Sequence, residues 1–313
     1  MRTIHSQKRQ KRGHKWLKIA LISCLVLILL NLAGGLYLVD FALVRPETTV
    51  RENTSFGARW MSSHVHDTLT IRRVDGLKLT GYYFPASNAS SKKLAILVHG
   101  YQSSVEHIAE AAPVYYDEGY HVFMADNRAH GASEGKYIGM GVLDSRDYVQ
   151  WIDTLLRQND SLEIVLHGQS MGGATVLMMS GRADLPPQVR CVVDDCGYNS
   201  VFDEFAYQLH QMFGLPPFPL LYVASWESKW LAGYAFDEGD VTAQVRQARV
   251  PILFIHGDAD DYNPTWMVYE LYDAAPTEKE LWIVPGAKHA KNHIVAPEEF
   301  SARIRRFCAR YVD

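Results

Sequence analysis

The stretch "LHGQSMGG", residues 166–173, places Ser170 midway between Gly168 and Gly172, just after a short apolar run. A serine flanked by glycines at these two distances is typical of a sharp turn from a strand into a helix. Because glycine has no Cβ atom, it fits where the backbone of this turn is crowded. The serine hydroxyl then projects over the edge of the sheet. The pattern also occurs in glycine-rich structural loops, so it does not by itself assign chemistry to Ser170.

Short apolar segments alternate with helix-like segments on both sides of this stretch. We expect strands at 94–99, 120–125, 162–168, 191–195, 251–258 and 281–286. We expect helices at 107–119, 142–158, 174–180 and 297–312. This alternation predicts an α/β fold with a mostly parallel sheet and helices on both faces. Two further strands flank Asp75-Gly76, a dipeptide that favours a hairpin turn.

Acids and histidines follow later strands, in the order that a serine nucleophile requires in such a fold. The hydroxyl is a weak nucleophile and needs a base, while the carboxyl ends of parallel strands meet at one sheet edge. The candidates are Asp258, Asp260 and Asp261 after one predicted strand, and His289 and His293 after the last one. The sequence therefore predicts a site that combines Ser170, a carboxylate and a histidine.

Five motifs in one order resemble the α/β-hydrolase superfamily, and more narrowly its membrane-anchored bacterial serine hydrolases. They are "HGY" (99–101), "DNRAHGASEG" (126–135), "GQSMGG" (168–173), "HGDAD" (256–260) and "GAKH" (286–289). The resemblance covers residues 65–313 and implies the α/β-hydrolase fold. It implies a hydrolase with neither cofactor nor metal, and it leaves the substrate open because one fold serves many reactions.

The resemblance also implies roles for individual residues. Ser170 is the nucleophile, His289 is the base, and Asp260 is the acid because it lies four residues before Pro264. Asp194 and Asp195 are a rival position for the acid, and His293 is a rival base. Chain order cannot decide among them, since a catalytic triad is defined by its geometry.

Other positions take supporting roles by the same resemblance. The backbone N–H groups of Met171 and Tyr101 are the expected oxyanion donors. Braces for the loops are expected at Asp258, Arg128 and His130. Apart from the resemblance, His99 and His167 precede glycines at strand ends, where a lone histidine is usually a hydrogen-bonded structural residue. The chain departs from the family pattern at Ala129, where glycine is usual, and at Asn263, where valine is frequent.

We expect cleavage of a small-molecule acyl ester through an acyl-enzyme. A peptidase, an acyltransferase or a catalytically idle binding protein are the alternatives on the same fold. The aromatic-rich segment 198–247 falls between two strands and suits a small helical cap, with ordinary packing helices as the other interpretation. The oligomeric state stays open.

The N-terminus combines seven basic residues and no acid in 1–18 with an uncharged apolar run at 19–39. Since the whole chain carries −4, the remainder carries −11, which argues against a nucleic-acid partner. The run is long enough to cross a membrane, and the basic side predicts a cytoplasmic tail with residues 40–313 outside. A cleaved signal peptide is less consistent with its length, and too few apolar residues precede Cys24 for a lipoprotein signal.

We expect residues 40–64 to connect this helix to the domain at 65–313. The four cysteines are expected to be free thiols, because Cys191 and Cys196 lie too far apart along one strand to bridge.

Overall fold

The computed structural model describes residues 2–45 and 55–313, with side chains from His14 onward. Its centre is a sheet of eight strands within the described residues, in the order β1-β2-β4-β3-β5-β6-β7-β8. The first two strands pair antiparallel, β2 pairs antiparallel with β4, and the remaining neighbours are parallel. The strands are β1 (Asp67–Arg72), β2 (Lys78–Phe84), β3 (Lys93–Val98), β4 (His121–Ala125), β5 (Glu163–Gln169), β6 (Val189–Asp195), β7 (Ile252–Gly257) and β8 (Lys279–Val284).

Helices cover both faces of this sheet. They are α1 (Arg2–Leu43), α2 (Phe56–Ser63), α3 (Val105–Ile108), α4 (Ala112–Tyr116), α5 (Asp144–Leu156), α6 (Met171–Ser180), α7 (Val201–Phe213), α8 (Leu220–Leu231), α9 (Val241–Val245), α10 (Trp266–Ala274), α11 (Asn292–Val295) and α12 (Pro297–Cys308). On β3, Ile96 packs into the cluster that contains Trp151 of α5, while Leu97 packs into the one that contains Phe307 of α12. The alternation of side chains along a strand thus fills a core on each face.

The predicted α/β-hydrolase architecture is confirmed, including the hairpin at Asp75-Gly76 and the parallel order of the later strands. The helix predicted over 107–119 differs, because it is divided into α3, a 3₁₀ turn (Ala109–Ala111) and α4. Pro113 explains the division, since it has no N–H to donate and is tolerated only in the first turn of a helix. Gly119, with φ +81°, ends the segment as predicted.

The helix α1 is longer than the predicted apolar run and continues past residue 39 to Leu43. Among the described residues, its part His14–Leu43 is the one helix long and apolar enough to cross a membrane. Its end is bound to the domain, because Ile138 donates to the carbonyl of Leu43 and the Arg45 side chain donates to the carbonyl of Ser133. Of the predicted connector, residues 46–54 lie outside the described residues.

The segment between β6 and β7 carries the helices α7, α8 and α9. Ser200 caps α7 by accepting from the N–H of Asp203, and Gly214 ends it in the left-handed conformation, φ +65°. The helix α8 packs against the C-terminal part of α1. The cap is therefore built from α7 and α8 together with the end of α1.

Candidate active site

Ser170 occupies the turn between β5 and α6 and has the unusual backbone angles φ 58° and ψ −119°. A Cβ at Gly168 would overlap the carbonyl of Gly172, and a Cβ at Gly172 would overlap the carbonyl of Val98. Both positions therefore require glycine because backbone approaches them directly. The turn is also held by the N–H of Ser170, which donates to the carbonyl of Asp195 at 2.8 Å.

Ser170, His289 and Asp260 form one hydrogen-bonded chain. Ser170 Oγ donates to His289 Nε2 at 2.8 Å, and His289 Nδ1 donates to Asp260 Oδ2 at 2.8 Å. The other carboxylate oxygen of Asp260 accepts from the N–H groups of Tyr262 and Asn263 at 3.0 and 2.9 Å. This arrangement can take a proton from the hydroxyl and orient the imidazole that receives it.

His256, whose role the sequence did not suggest, supports the acid from β7. Its Nε2 donates to the carbonyl of Asn263 at 2.8 Å and lies 3.4 Å from Asp260 Oδ2. Although burial acts to raise it, hydrogen bonds from His256 and His289 lower the pKa of Asp260 to about 2. The carboxylate therefore stays ionised at neutral pH. The motif "HGDAD" contained a signal for this contact, because His256 precedes Asp260 by four residues across a tight turn.

The two expected oxyanion donors belong to residues close to Ser170. Met171 is the first residue of α6, where backbone N–H groups have no partner within the helix. Tyr101 follows Gly100, and a Cβ at Gly100 would lie 3.3 Å from the Cβ of Ser170. His130 holds this loop as a brace, because its Nε2 accepts from the N–H of Gln102 at 3.1 Å.

The rival acids and the rival base are directed elsewhere. Asp194 accepts from the N–H of Gly197 at 3.0 Å, and burial raises its pKa to about 7. Asp195 accepts from the side chains of Gln169 and Asn292 at 3.1 and 2.6 Å. The imidazole of His293 lies 3.1 Å from Glu110 on the α4 side of the sheet. The structure therefore hydrogen-bonds none of these three side chains to the hydroxyl of Ser170.

The remaining polar residues singled out by the sequence are engaged in loop contacts. Asp258 accepts from the N–H of Gly286 at 2.6 Å. Arg128 donates from Nη2 and Nε to Asp147 at 2.7 and 2.8 Å and from Nη1 to Asp75 at 3.1 Å. His99 Nε2 accepts from the N–H of Asn127 at 3.0 Å. His167 pairs with the hydroxyl of Tyr115 at 3.0 Å in the core.

A cavity of about 350 Å³ opens at Ser170 between the loop after β3 and the cap. Its walls include Tyr198, Glu204 and Met212, and also Phe41 and Ala42 at the end of α1. Glu204 is almost fully buried, and its Oε2 has no hydrogen-bond partner among the described residues. The sequence indicated that the segment at 198–247 could cover the site, but it held no signal that the apolar N-terminal helix also lines it.

One group of side chains has the spacing of metal ligands. Ligand atoms of Cys196, Asp260 and His289 lie within 4.8 Å of one another. Burial raises the pKa of the Cys196 thiol well above its usual value, so the thiolate that a metal needs is disfavoured. His289 and Asp260 already use the facing atoms for each other. The group fits a proton relay better than a metal centre.

Known proteins with similar sequences and structures agree with this architecture. Residues 89–193 match the family model described as serine aminopeptidase, S33. The uncharacterized protein YfhR of Escherichia coli (strain K12) is 30% identical over 224 residues, which are 69% of this chain and 70% of YfhR. The uncharacterized protein YqkD of Bacillus subtilis (strain 168) is 27% identical over 233 residues, 74% of this chain and 75% of YqkD.

Among solved structures, an esterase of Pyrococcus furiosus, Pf2001, superimposes with a TM-score of 0.68 at 26% identity. The superposition covers 87% of this chain and 99% of the esterase. Fold and sequence similarity together define a hydrolase of the α/β class. The chain belongs to the α/β-hydrolase superfamily, in the same family as YfhR, and carries an N-terminal helix suited to membrane anchoring.

Proposed function

We propose that this hydrolase cleaves acyl esters with Ser170 as nucleophile, His289 as general base and Asp260 as the residue that orients it. The observation that carries the proposal is the continuous pair of 2.8 Å hydrogen bonds from Ser170 through His289 to Asp260, at the floor of a cavity. Such a chain activates a hydroxyl that is otherwise a weak nucleophile.

The reaction follows from these contacts. His289 takes the proton of Ser170 as Oγ attacks the carbonyl carbon, and the N–H groups of Met171 and Tyr101 stabilise the oxyanion. The ester C–O bond breaks, and His289 passes the proton to the leaving alcohol. Water, deprotonated by the same imidazole, then attacks the acyl-enzyme and releases the acid while the proton returns to Ser170. No step needs a cofactor or a metal.

The test is labelling of the full chain in detergent micelles by a fluorophosphonate, together with hydrolysis of a soluble aryl ester. We expect stoichiometric labelling of the wild type and none of Ser170→Ala, because the reagent bonds to the activated oxygen. We expect His289→Ala to label far more slowly. Asp260→Asn should lower kcat by about 10⁴, as loss of the acid does in Ser-His-Asp enzymes.

Ser180→Ala is the matched control, since it removes a buried hydroxyl at the other end of the same helix. It should label at the wild-type rate. A folded wild type that takes no label would contradict the proposal, and the idle binding protein would then become the better interpretation.

A peptidase is the second candidate, because the matching family model is described as a serine aminopeptidase. Glu204 lies in the cavity wall, where its Oε1 accepts from Gln208 and its Oε2 has no hydrogen-bond partner among the described residues. The amino group of a peptide would bind at Oε2 and take the proton that this carboxyl holds, which forms a carboxylate–ammonium pair. Comparing an amino-acid anilide with the corresponding aryl ester on the same preparation separates the two. An anilide rate that matches or exceeds the ester rate would favour the peptidase.

For the location, we propose a single-pass protein of the cell membrane with its basic N-terminus in the cytoplasm and the hydrolase domain outside. The apolar part of α1 and the seven basic residues that precede it support this orientation. The proposed partners are a small acyl substrate and the membrane, without nucleic acid.

A further inference from the structure

The depth of α1 in a bilayer is limited by its charges. Lys18 is the last charged residue before the apolar run, and Asp40 is the first one after it. The 21 residues between them measure about 31 Å as a helix, which matches a hydrocarbon core of about 30 Å. The outer edge of the hydrocarbon therefore falls close to Asp40, only three residues before α1 ends at Leu43.

The cap helix α8 packs against α1 at this depth. Gly34 approaches the side chain of Leu220, and Gly35 approaches Val223 and Ala224. These two glycines lie about 8–9 Å from Asp40 along the helix axis, toward the centre of the bilayer. Since α8 touches α1 there, α8 lies at the level of the outer headgroups and the upper acyl chains.

The outward side of α8 is aromatic. Tyr222, Trp226 and Trp230 recur every four residues, which places them on one side of α8, and the ring of Phe218, two residues before the helix, lies 5.9 Å from the ring of Tyr222. Phe218, Tyr222, Trp226 and Trp230 are 72%, 55%, 58% and 75% exposed. We call these four residues the aromatic stripe. Trp and Tyr are enriched where a membrane meets water, and helices with such a face lie in the plane of the interface.

The polar groups of α8 do not oppose this placement. Glu227 is buried, with its carboxylate toward Gly35 of α1. Lys229 forms an ion pair with Glu238 at 2.6 Å. The four residues of the aromatic stripe carry no charge themselves, and the charge of the half-exposed Lys229 is balanced by Glu238.

The cavity at Ser170 reaches the same level. It shares Phe41, Phe205 and Met212 with a smaller adjoining cavity of about 50 Å³, whose lining is apolar apart from Gln208. The lining of that cavity includes Leu38 of α1 and Phe213 of α7, at the predicted outer edge of the hydrocarbon. The two cavities thus adjoin beside α1, and the apolar one extends from the cavity at Ser170 toward the level of the outer leaflet.

We infer that the aromatic stripe rests in the outer leaflet of the bilayer that α1 crosses, and that Ser170 receives an acyl ester whose chain enters from this leaflet. The substrate class is a membrane-held amphiphile with a long acyl chain. This inference rests on the proposed function for the ester bond, whereas the position of α8 does not depend on it.

The test uses the full chain reconstituted in phosphatidylcholine vesicles. Brominated phosphatidylcholine quenches tryptophan that lies among acyl chains. Hydrolysis is compared for 4-methylumbelliferyl oleate held in the vesicles and 4-methylumbelliferyl acetate in water, which share one leaving group. The variant is Trp226→Ser with Trp230→Ser, and the control is Trp266→Ser, an exposed tryptophan on α10.

We expect the double variant to lose the bromolipid quenching of α8, so that only the quenching of Trp16 at the other end of α1 remains. Its oleate rate should fall at least tenfold, with the acetate rate within twofold of wild type. The control Trp266→Ser should keep the wild-type quenching, oleate rate and acetate rate. Equal quenching in the double variant and the control would overturn the position of α8. If the protein then self-associates through the aromatic stripe, the stripe is a contact with a second copy of this chain. Lost quenching with an unchanged oleate rate would overturn entry from the leaflet.

Failure of the proposed function gives a different result. If the wild type takes no fluorophosphonate label and cleaves neither ester, the ester chemistry fails while the quenching still reports the depth of α8. If the wild type takes the label but cleaves the oleate ester in vesicles no faster than the acetate ester in water, the inference about the leaflet fails and the proposed function stands.

Discussion

Ser170 shows how the site depends on a conformation that most residues avoid. Its φ of 58° lies in the left-handed region, which costs a non-glycine residue of order 1–3 kcal/mol. The turn keeps this conformation because β5 and α6 fix both of its ends and because Gly168 and Gly172 admit the neighbouring backbone. The strain positions Oγ at the edge of the sheet, within reach of His289.

Glu204 gives a prediction about pH at the same scale. Burial raises the pKa of this carboxyl from its usual 4.5 to about 8. The folded protein then holds a proton that the unfolded chain releases above about pH 4.5, so the free energy of unfolding falls as pH rises from about 4.5 to about 8. Glu204→Gln cannot titrate, and its Tm should fall less between pH 5 and pH 8 than the wild-type Tm.

Thermal unfolding in detergent at the two pH values measures this difference. Glu298→Gln, which changes an exposed glutamate on α12, is the control and should show the wild-type loss. An equal loss of Tm in Glu204→Gln and the wild type would refute the assignment of a buried, protonated carboxyl.

At the scale of elements, α1 is part of the domain as well as a helix suited to membrane anchoring. Val39 and Leu43 are buried in the core, and the Tyr101 hydroxyl donates to the carbonyl of Ala42 at 2.8 Å. Because Tyr101 also carries a proposed oxyanion N–H, the position of the helix end is linked directly to the site. The end of α1, which packs against α8 further back along the helix, therefore forms part of the cavity wall.

Gly35→Leu tests this helix pair. A Cβ at Gly35 would overlap the carboxylate of Glu227 and lie 3.0 Å from Val223, so leucine must push α1 away from α8. Overpacking of this kind destabilises by about 1–3 kcal/mol, and the displaced wall should also slow fluorophosphonate labelling. Ala33→Leu, at an exposed position two residues away, is the control for helix hydrophobicity. A Gly35→Leu variant with the Tm and labelling rate of Ala33→Leu would contradict the close contact.

At the scale of the whole molecule, charge and hydropathy predict the orientation that we propose for the membrane. Seven basic residues precede the apolar run, and the remaining chain carries −11. We expect alkaline phosphatase fused after Asp313 to be active in cells and green fluorescent protein fused there to be dark, because the C-terminal side is translocated. Removing residues 1–43 should reverse both readouts. A fluorescent fusion of the full chain would instead place the domain in the cytoplasm.

The sequence by itself determined the fold and the order of the candidate residues. The glycines around Ser170 and the strand periodicity are local properties, and chain order with the family motifs pointed to Asp260 and His289. The choice against Asp194, Asp195 and His293 needed the tertiary structure, because hydrogen-bond partners distant in sequence decide where each side chain points. The same holds for the contact of His256 with Asp260 and for the buried carboxyl of Glu204.

The part of α1 in the cavity wall was also decided only by the tertiary structure. An apolar run of 21 residues reveals that a helix can cross a membrane, but its length and composition do not say what its last turns touch. The contact with α8 depends on the cap folding back over Gly34 and Gly35 from almost 200 residues further along the chain. Long-range packing of this kind leaves no periodic signal in the sequence. The surfaces of α1 and α8 fit each other by their shape, and the spacing of apolar residues along the chain does not encode that fit.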